Sequence, residues 1–198
     1  MARFVLVHGA WHGAWCYDAL ARDLAAAGHE VDTFDLPGHG ADATPHDQIT
    51  LDTYAQRVAE VIGEDGESLQ YLAGLPENPE DIVVPNCEIA PPDAIIPGWA
   101  ARAAFYHRCT EADAGAAIAQ LNPQPLPPLG TPVSITPERA GAVERHYIAC
   151  TDDRAIPIAL QRRMIAESPC ATVTDIDADH SPFICAEDEL TRALLALA

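Results

Sequence analysis

The stretch that decides the fold is residues 4–40, FVLVHGAWHGAWCYDALARDLAAAGHEVDTFDLPGHG. It opens with an apolar, β-branched run that ends at His8, a pattern typical of a strand buried on both faces of a sheet. Apolar residues then recur at helical spacing as far as Gly28, which stands where a helix C-cap favours a left-handed residue. A second run, EVDTFDL, ends in the turn PGHG. The stretch therefore predicts a strand, a helix and a second, parallel strand.

The rest of the chain continues this alternation around a proline-rich interruption. Thr50 is placed to cap a helix, and residues 76–97 contain too many prolines for long regular structure, so we expect a loop there. The other expected elements are helices over 51–64, 98–121, 157–168 and 187–198, and strands over 68–74, 145–151 and 171–178. The pattern predicts one α/β domain over 1–198, a doubly wound and mostly parallel sheet with a small helical cap inserted at about 76–135.

Charge and composition exclude several classes of function. The formal net charge is −19 and the sequence pI is about 4.5, which opposes binding to nucleic-acid phosphates or to anionic membrane surfaces. All 11 basic residues are Arg, so Schiff-base chemistry and lysine-anchored cofactors are excluded. We expect a small-molecule substrate, no cofactor, no nucleic-acid partner and no membrane partner.

The cysteines and the hydropathy indicate a location. The six Cys are scattered, form no C-x-x-C pair, and follow no apolar signal segment, so we expect reduced thiols and a cytoplasmic protein. No apolar run approaches the roughly 18 residues that would span a bilayer.

Acidic and histidine side chains follow the predicted strands where a parallel sheet binds its ligands, outside the carboxyl ends. Asp152 and Asp153 come after the strand at 145–151, and His180 comes after the last strand. A carboxylate after one strand and a His after the next is an arrangement in which the carboxylate orients the imidazole and stabilises its protonated form. We expect Asp153 and His180 to form a catalytic acid–base pair.

The turn after the first strand has two interpretations. His8 and His12 have the spacing that would place two imidazoles on one face of a helix for a metal ion. A glycine follows each of them, however, which favours a strand-to-helix turn over a metal site. Such a turn can direct backbone N–H groups at a developing oxyanion, and we assign that role to Ala10 and Trp11.

These segments resemble the α/β-hydrolase superfamily, and in particular its branch of hydroxynitrile lyases, plant methylesterases and bacterial esterase relatives. Residues 4–40 resemble the first strand, oxyanion loop, helix and next strand of that branch. YIACTDDRAIPIALQRRM and DIDADHSPFICAEDEL resemble its acid and histidine segments, which implies that Asp153 is the acid and His180 the base. AFYHRCTEADAGAAIAQLNPQPL resembles its cap, which implies that His107 lies near the substrate and that Trp99 packs there.

One part of the family pattern is absent from the sequence. The family has a V-V-L-V strand, a G-H-S-x-G-G elbow carrying the nucleophile, and a helix before its YLAG strand, whereas this chain runs directly from VIGEDGE to SLQYLAG. The resemblance therefore implies an α/β-hydrolase fold reduced by one strand–helix unit, of about 25 residues. Ser68 is the candidate replacement nucleophile, but an acidic turn precedes it instead of a strand. Cys87 is the loop cysteine that remains as an alternative.

Two functions follow from this pattern. In the first, the chain is an enzyme that acts on a small ester, lactone or ketone through the His180 and Asp153 pair and the oxyanion loop, with His180 activating water or removing a proton from carbon. In the second, it is a catalytically inactive hydrolase homologue that binds a small ligand or a partner chain. The apolar surface left by the missing helix also predicts a homodimer that covers it.

Overall fold

The structure, a computed structural model, describes residues 1–62, 82–131 and 143–198. Ser68, the expected strand at 68–74 and the site of the expected deletion lie outside these residues. The strands are β1 Arg3–Val7, β2 Glu30–Phe34, β3 Glu88–Ala90, β4 Asp93–Ile95, β5 Gln124–Pro125, β6 His146–Cys150 and β7 Thr172–Ile176. The helices are α1 Asp18–Ala26, α2 Leu51–Ile62, α3 Gly98–Phe105, α4 Glu111–Ile118, α5 Leu126–Gly130, α6 Ile158–Glu167, α7 Pro182–Cys185 and α8 Glu187–Leu195.

The two ends of the chain form parallel strand pairs, as the alternation predicts. β1 pairs with β2 from Arg3 opposite Glu30 to Val7 opposite Phe34, and β6 pairs with β7 from His146 opposite Thr172 to Cys150 opposite Ile176. The predicted helix end after α1 is also confirmed, because Gly28 has a φ of +91°. The N-cap of α2 is confirmed by the hydrogen bond from the Thr53 N–H to Thr50 Oγ1 at 3.2 Å.

Helices cover both faces of the β1–β2 pair, which makes the fold doubly wound. On one face Leu20 and Leu24 of α1 pack with Leu190 of α8, and Leu6 of β1 joins them. On the other face, the apolar side of α2 packs against Val5, Phe34 and Leu36. Because successive strand residues point to opposite faces, the apolar run of β1 supplies both cores.

The cap differs from the sequence-based expectation in one place. The segment expected to be a loop contains the hairpin β3–β4, to which the two residues of β5 add a third antiparallel strand. The helical composition of 98–121 is confirmed as two helices, since the chain leaves helical geometry after Phe105 and starts again at Thr110, whose side chain caps α4 by accepting the Asp113 N–H. The cap core consists of small and aromatic residues, among them Ala100, Ala104, Phe105, Tyr106 and Ala114.

The facing edges of β1 and β6 carry no strand partner within residues 1–62, 82–131 and 143–198. Side chains from neighbouring segments bind the ends of both edges. The Tyr17 hydroxyl donates to the Val7 carbonyl at 3.2 Å, and the Gln161 amide binds the backbone of Cys150. No helix in the described part of the chain is long and apolar enough to cross a membrane.

Candidate active site

The structure brings His180 and Asp153 together at the carboxyl ends of β6 and β7. His180 Nδ1 donates to Asp153 Oδ2 at 2.9 Å. The Asp153 side chain is 7% exposed and that of His180 is 29% exposed, so the acid is enclosed and the imidazole remains accessible. Because Nδ1 carries the proton, Nε2 is the free basic nitrogen.

Backbone groups fix the carboxylate of Asp153. Its Oδ1 accepts the N–H groups of Ala155 and Ile156, both at 2.8 Å, and this leaves Oδ2 for His180. Both oxygens are thus used, and the carboxylate orients the imidazole without an exposed cation competing for it.

The acidic neighbours raise the pKa of His180 above its ordinary value. Burial alone lowers that pKa, but the charge of Asp153, the hydrogen bond from its carboxylate and the charge of Asp179 together outweigh burial. The imidazole therefore holds a proton more strongly than a free histidine, as a base that must accept one during a reaction needs to do.

Asp179 has a structural role beside His180. It is fully buried, and its Oδ1 accepts the Ser181 N–H at 2.9 Å while its Oδ2 accepts the Arg108 N–H at 2.9 Å. Arg108 follows α3, so this carboxylate joins the cap to the histidine loop.

A cavity of about 430 Å³ lies between β1 and β6 and has His180 and Asp153 in its wall. Most of its lining is apolar, including Leu6, Ile148 and Phe183. Its other lining residues are Val5, Val7, Gly9, His12, Cys16, Tyr17, Leu20, Tyr147, Cys150, Ile156, Gln161, Pro182, Leu190 and Leu194. A mostly apolar cavity with a few polar groups at one end is typical of small-molecule sites.

The predicted oxyanion loop is only partly free, which corrects the assignment of Trp11. Trp11 has a φ of +63°, and its N–H already donates to Gln124 Oε1 at 3.1 Å. Its carbonyl accepts the Asn122 N–H and its indole donates to the Ala94 carbonyl, so the cap holds this residue completely. The Ala10 N–H has no hydrogen-bond partner among the described residues and is the free donor of the loop, although Ala10 is not among the residues that line the cavity.

His8 and His12 do not form a metal pair, because the protein uses both nitrogens of each ring. His8 Nδ1 donates to the Gly9 carbonyl at 2.9 Å, and its Nε2 accepts the Leu36 N–H at 3.0 Å. His12 Nδ1 donates to the Ala10 carbonyl at 2.8 Å, and its Nε2 accepts the Tyr106 hydroxyl at 2.8 Å. Burial lowers the pKa of His12 to about 3, so this ring is neutral.

Two cap residues lie elsewhere than the resemblance implies. His107 does not line the cavity, and its Nε2 pairs with Asp152 Oδ2 at 3.1 Å, which ties the end of α3 to the loop after β6. Trp99 is 65% exposed at the start of α3 and does not pack at the site. His107 pairs with the acidic loop after β6 instead of facing the cavity. The composition of the cap does not show which loop such a histidine will contact.

No serine, threonine or cysteine side chain is hydrogen-bonded to His180 within the described ranges. Burial raises the pKa of Cys16 and of Cys150, the two cavity thiols, to about 12, so both are protonated and weak nucleophiles. Cys87 packs against the cap core. The nucleophile assignment for Ser68 stays a prediction, since that residue is outside the described chain.

Comparison with known proteins shows which families this chain is similar to. Residues 4–84 match the family model described as "Alpha/beta hydrolase family". Methylesterase 7 from Arabidopsis thaliana is 27% identical over an alignment that covers 99% of this chain and 96% of that protein. These matches support the α/β-hydrolase superfamily and its methylesterase-like branch, as the motifs indicate.

Solved structures confirm the fold of this α/β-hydrolase. Polyneuridine aldehyde esterase superimposes with a TM-score of 0.82 at 20% identity, covering 100% of this chain and 99% of that one. Tomato methylketone synthase I in complex with 2-tridecanone gives 0.78 at 20% identity, covering 99% and 97%. This chain is shorter than methylesterase 7. The alignment of the two proteins extends over 249 positions, whereas this chain has 198 residues.

Two buried amides near the site were not found from the sequence. Gln124 binds the Trp11 N–H, and Gln161 binds the end of β6. Gln161 is the buried residue of α6. A glutamine that falls among the apolar positions of that helix was the signal in the sequence that could have identified it.

Proposed function

We propose that this chain hydrolyses a small, uncharged ester or lactone, with His180 as the general base, Asp153 as its orienting acid and water as the nucleophile. The observation that carries the proposal is the His180 Nδ1–Asp153 Oδ2 hydrogen bond, at 2.9 Å, in the wall of the cavity. It leaves Nε2 free for proton transfer.

The proposed reaction needs one proton acceptor and one oxyanion donor. Nε2 of His180 takes a proton from water while the water oxygen bonds to the ester carbonyl carbon, and Asp153 stabilises the imidazolium. The Ala10 N–H donates to the oxyanion that forms. When the carbon–oxygen bond to the leaving group breaks, the imidazolium returns the proton to the alkoxide. With a ketone substrate, the same base removes a proton from carbon.

Charge and lining support an uncharged substrate. The carboxylate of Asp153 lies in the cavity wall, and the chain as a whole carries a formal charge of −19, so anions are repelled. The apolar walls of the cavity favour a hydrocarbon group on the acyl or the alcohol side. Esterases among the relatives agree with this class.

The pH dependence of the reaction tests the role of Asp153. A general base works in its neutral form, so the wild-type rate should rise with pH through an apparent pKa above the ordinary histidine value of about 6.5. Asp153→Asn removes the charge that raises the pKa of His180, so the inflection should move to lower pH. Initial rates with p-nitrophenyl acetate from pH 5 to 9 locate the inflection in the wild type and in Asp153→Asn. The same inflection in both proteins would contradict the assignment.

Ser68→Ala separates water from serine as the nucleophile. We expect the variant to keep the wild-type rate on p-nitrophenyl acetate and to show no burst of p-nitrophenol, because the acyl group goes directly to water. Absorbance after rapid mixing, at an enzyme concentration comparable to that of the substrate, measures the burst of p-nitrophenol and the steady-state rate. A burst in the wild type that disappears in Ser68→Ala would overturn the water mechanism and make Ser68 the nucleophile.

A further inference from the structure

Gln161 is a buried amide that the proposed reaction does not use. It lies in α6, is 2% exposed and lines the cavity, and the other residues of that helix are partly or fully exposed. A buried amide is stable only when its donors and its acceptor are satisfied, so its partners show what it holds in place.

Three hydrogen bonds satisfy Gln161. Its Oε1 accepts the Cys150 N–H at 3.2 Å, and its Nε2 donates to the Cys150 carbonyl at 2.9 Å and to the Ile156 carbonyl at 2.7 Å. One N–H and two carbonyls fix which end of the amide carries oxygen. Both donors and the acceptor are therefore in use.

The two bonds to Cys150 satisfy backbone groups on the edge of β6 that faces away from β7. Cys150 ends β6, and the next residue, Thr151, donates its N–H to Ile176 on the β7 side. Backbone groups alternate between the two edges of a strand, so Cys150 directs its own N–H and carbonyl to the edge that faces the cavity. Gln161 thus closes the end of this edge from α6.

The third bond extends this attachment to the catalytic acid. Ile156, whose carbonyl binds Gln161, also donates its N–H to Asp153 Oδ1 at 2.8 Å. Asp153 in turn accepts His180 through Oδ2. A continuous set of hydrogen bonds therefore runs from the last residue of β6 through Gln161, Ile156 and Asp153 to the imidazole.

We propose that Gln161 is a positioning residue: its side-chain amide fixes the loop after β6 to the last residue of that strand and so sets the hydrogen bond between Asp153 and His180. Its importance for catalysis rests on the proposed function, but its effect on the acid–base pair does not. Without the amide, the Ile156 carbonyl loses its side-chain partner, and the loop that carries Asp153 is no longer hydrogen-bonded through α6 to the end of β6.

Gln161→Met tests the proposal because methionine keeps the length and removes all three hydrogen bonds. We expect the pKa of His180, measured by NMR titration of its imidazole Cε1–H, to fall toward the value found in Asp153→Asn. Hydrolysis of p-nitrophenyl acetate should fall by up to about 100-fold, mainly through kcat, because the base is misplaced while methionine keeps the length of the side chain that lines the cavity. The titratable groups that face His180 are Asp153, Asp179 and His12.

Two further variants distinguish positioning from general stability. Ile165→Ala, also in α6, should lower the melting temperature without moving the pKa of His180. Gln161→Asn keeps an amide that is one methylene too short to reach all three partners, and should give an intermediate pKa if Gln161→Met fails to fold. An unchanged His180 pKa in a folded Gln161 variant would overturn the proposal. A shifted pKa in a protein whose wild type lacks hydrolase activity would support the positioning role and reject the proposed function.

Discussion

His180→Ala is expected to lower the rate of p-nitrophenyl acetate hydrolysis by about 100- to 10,000-fold, the usual contribution of a positioned general base. The alanine variant keeps the cavity and the Ala10 N–H but has no group to take the proton from water. Asp153 is a poor replacement for the base, because its Oδ1 accepts two backbone N–H groups and its Oδ2, which bonds to Nδ1 in the wild type, is set back from the position of Nε2 by the width of the imidazole ring. Initial rates, corrected for buffer hydrolysis, measure the effect.

A matched histidine variant controls for unspecific imidazole catalysis. His146 is exposed, binds Thr172 and Glu144, and does not line the cavity. His146→Ala should keep the wild-type rate. Equal rates in the wild type and both alanine variants would reject the hydrolase proposal and favour an inactive homologue that binds a ligand.

Gly40→Ala is expected to destabilise the protein by about 2–4 kcal/mol. Gly40 has a φ of +56°, where an L-residue is strained by about 1–2 kcal/mol. A Cβ at this position would lie 2.2 Å from Asp35 Oδ1. Asp35 accepts the Ala14 N–H at 2.7 Å and the Ala41 N–H at 2.9 Å, so its displacement also costs charge-assisted hydrogen bonds. Urea unfolding followed by circular dichroism measures the change.

The same substitution at Gly115 is expected to change the stability in the opposite direction. Gly115 lies inside α4, and an added Cβ there meets nothing within 4 Å. Gly115→Ala should stabilise the protein by about 0.5–1 kcal/mol, since alanine has the better helix propensity. If Gly40→Ala were no more destabilising than Gly115→Ala, the contact between Gly40 and Asp35 would not be a determinant of the turn after β2.

The elements near the two chain ends were predictable because their sequence patterns are local. The apolar run before His8, the left-handed Gly28 and the Thr50 cap each depend on neighbours within a few residues. Asp153 and His180 could be paired from the sequence because parallel strands deliver whatever follows them to one edge. The cap hairpin was missed because proline-rich composition indicates a loop and does not show which short segments pair across it.

The sequence by itself determined the strand and helix order near the two chain ends, the resemblance to the α/β-hydrolase superfamily and the two residues whose side chains meet at the strand ends. Only the tertiary structure decided which backbone groups stay free: the cap takes the Trp11 N–H through Gln124, 113 residues away, and α6 closes the edge of β6 through Gln161. The physical reason is that a buried backbone N–H or carbonyl needs a hydrogen-bond partner, and a side-chain amide can supply one where the strands and helices do not. Which groups are left unpaired follows from long-range packing and not from residue type.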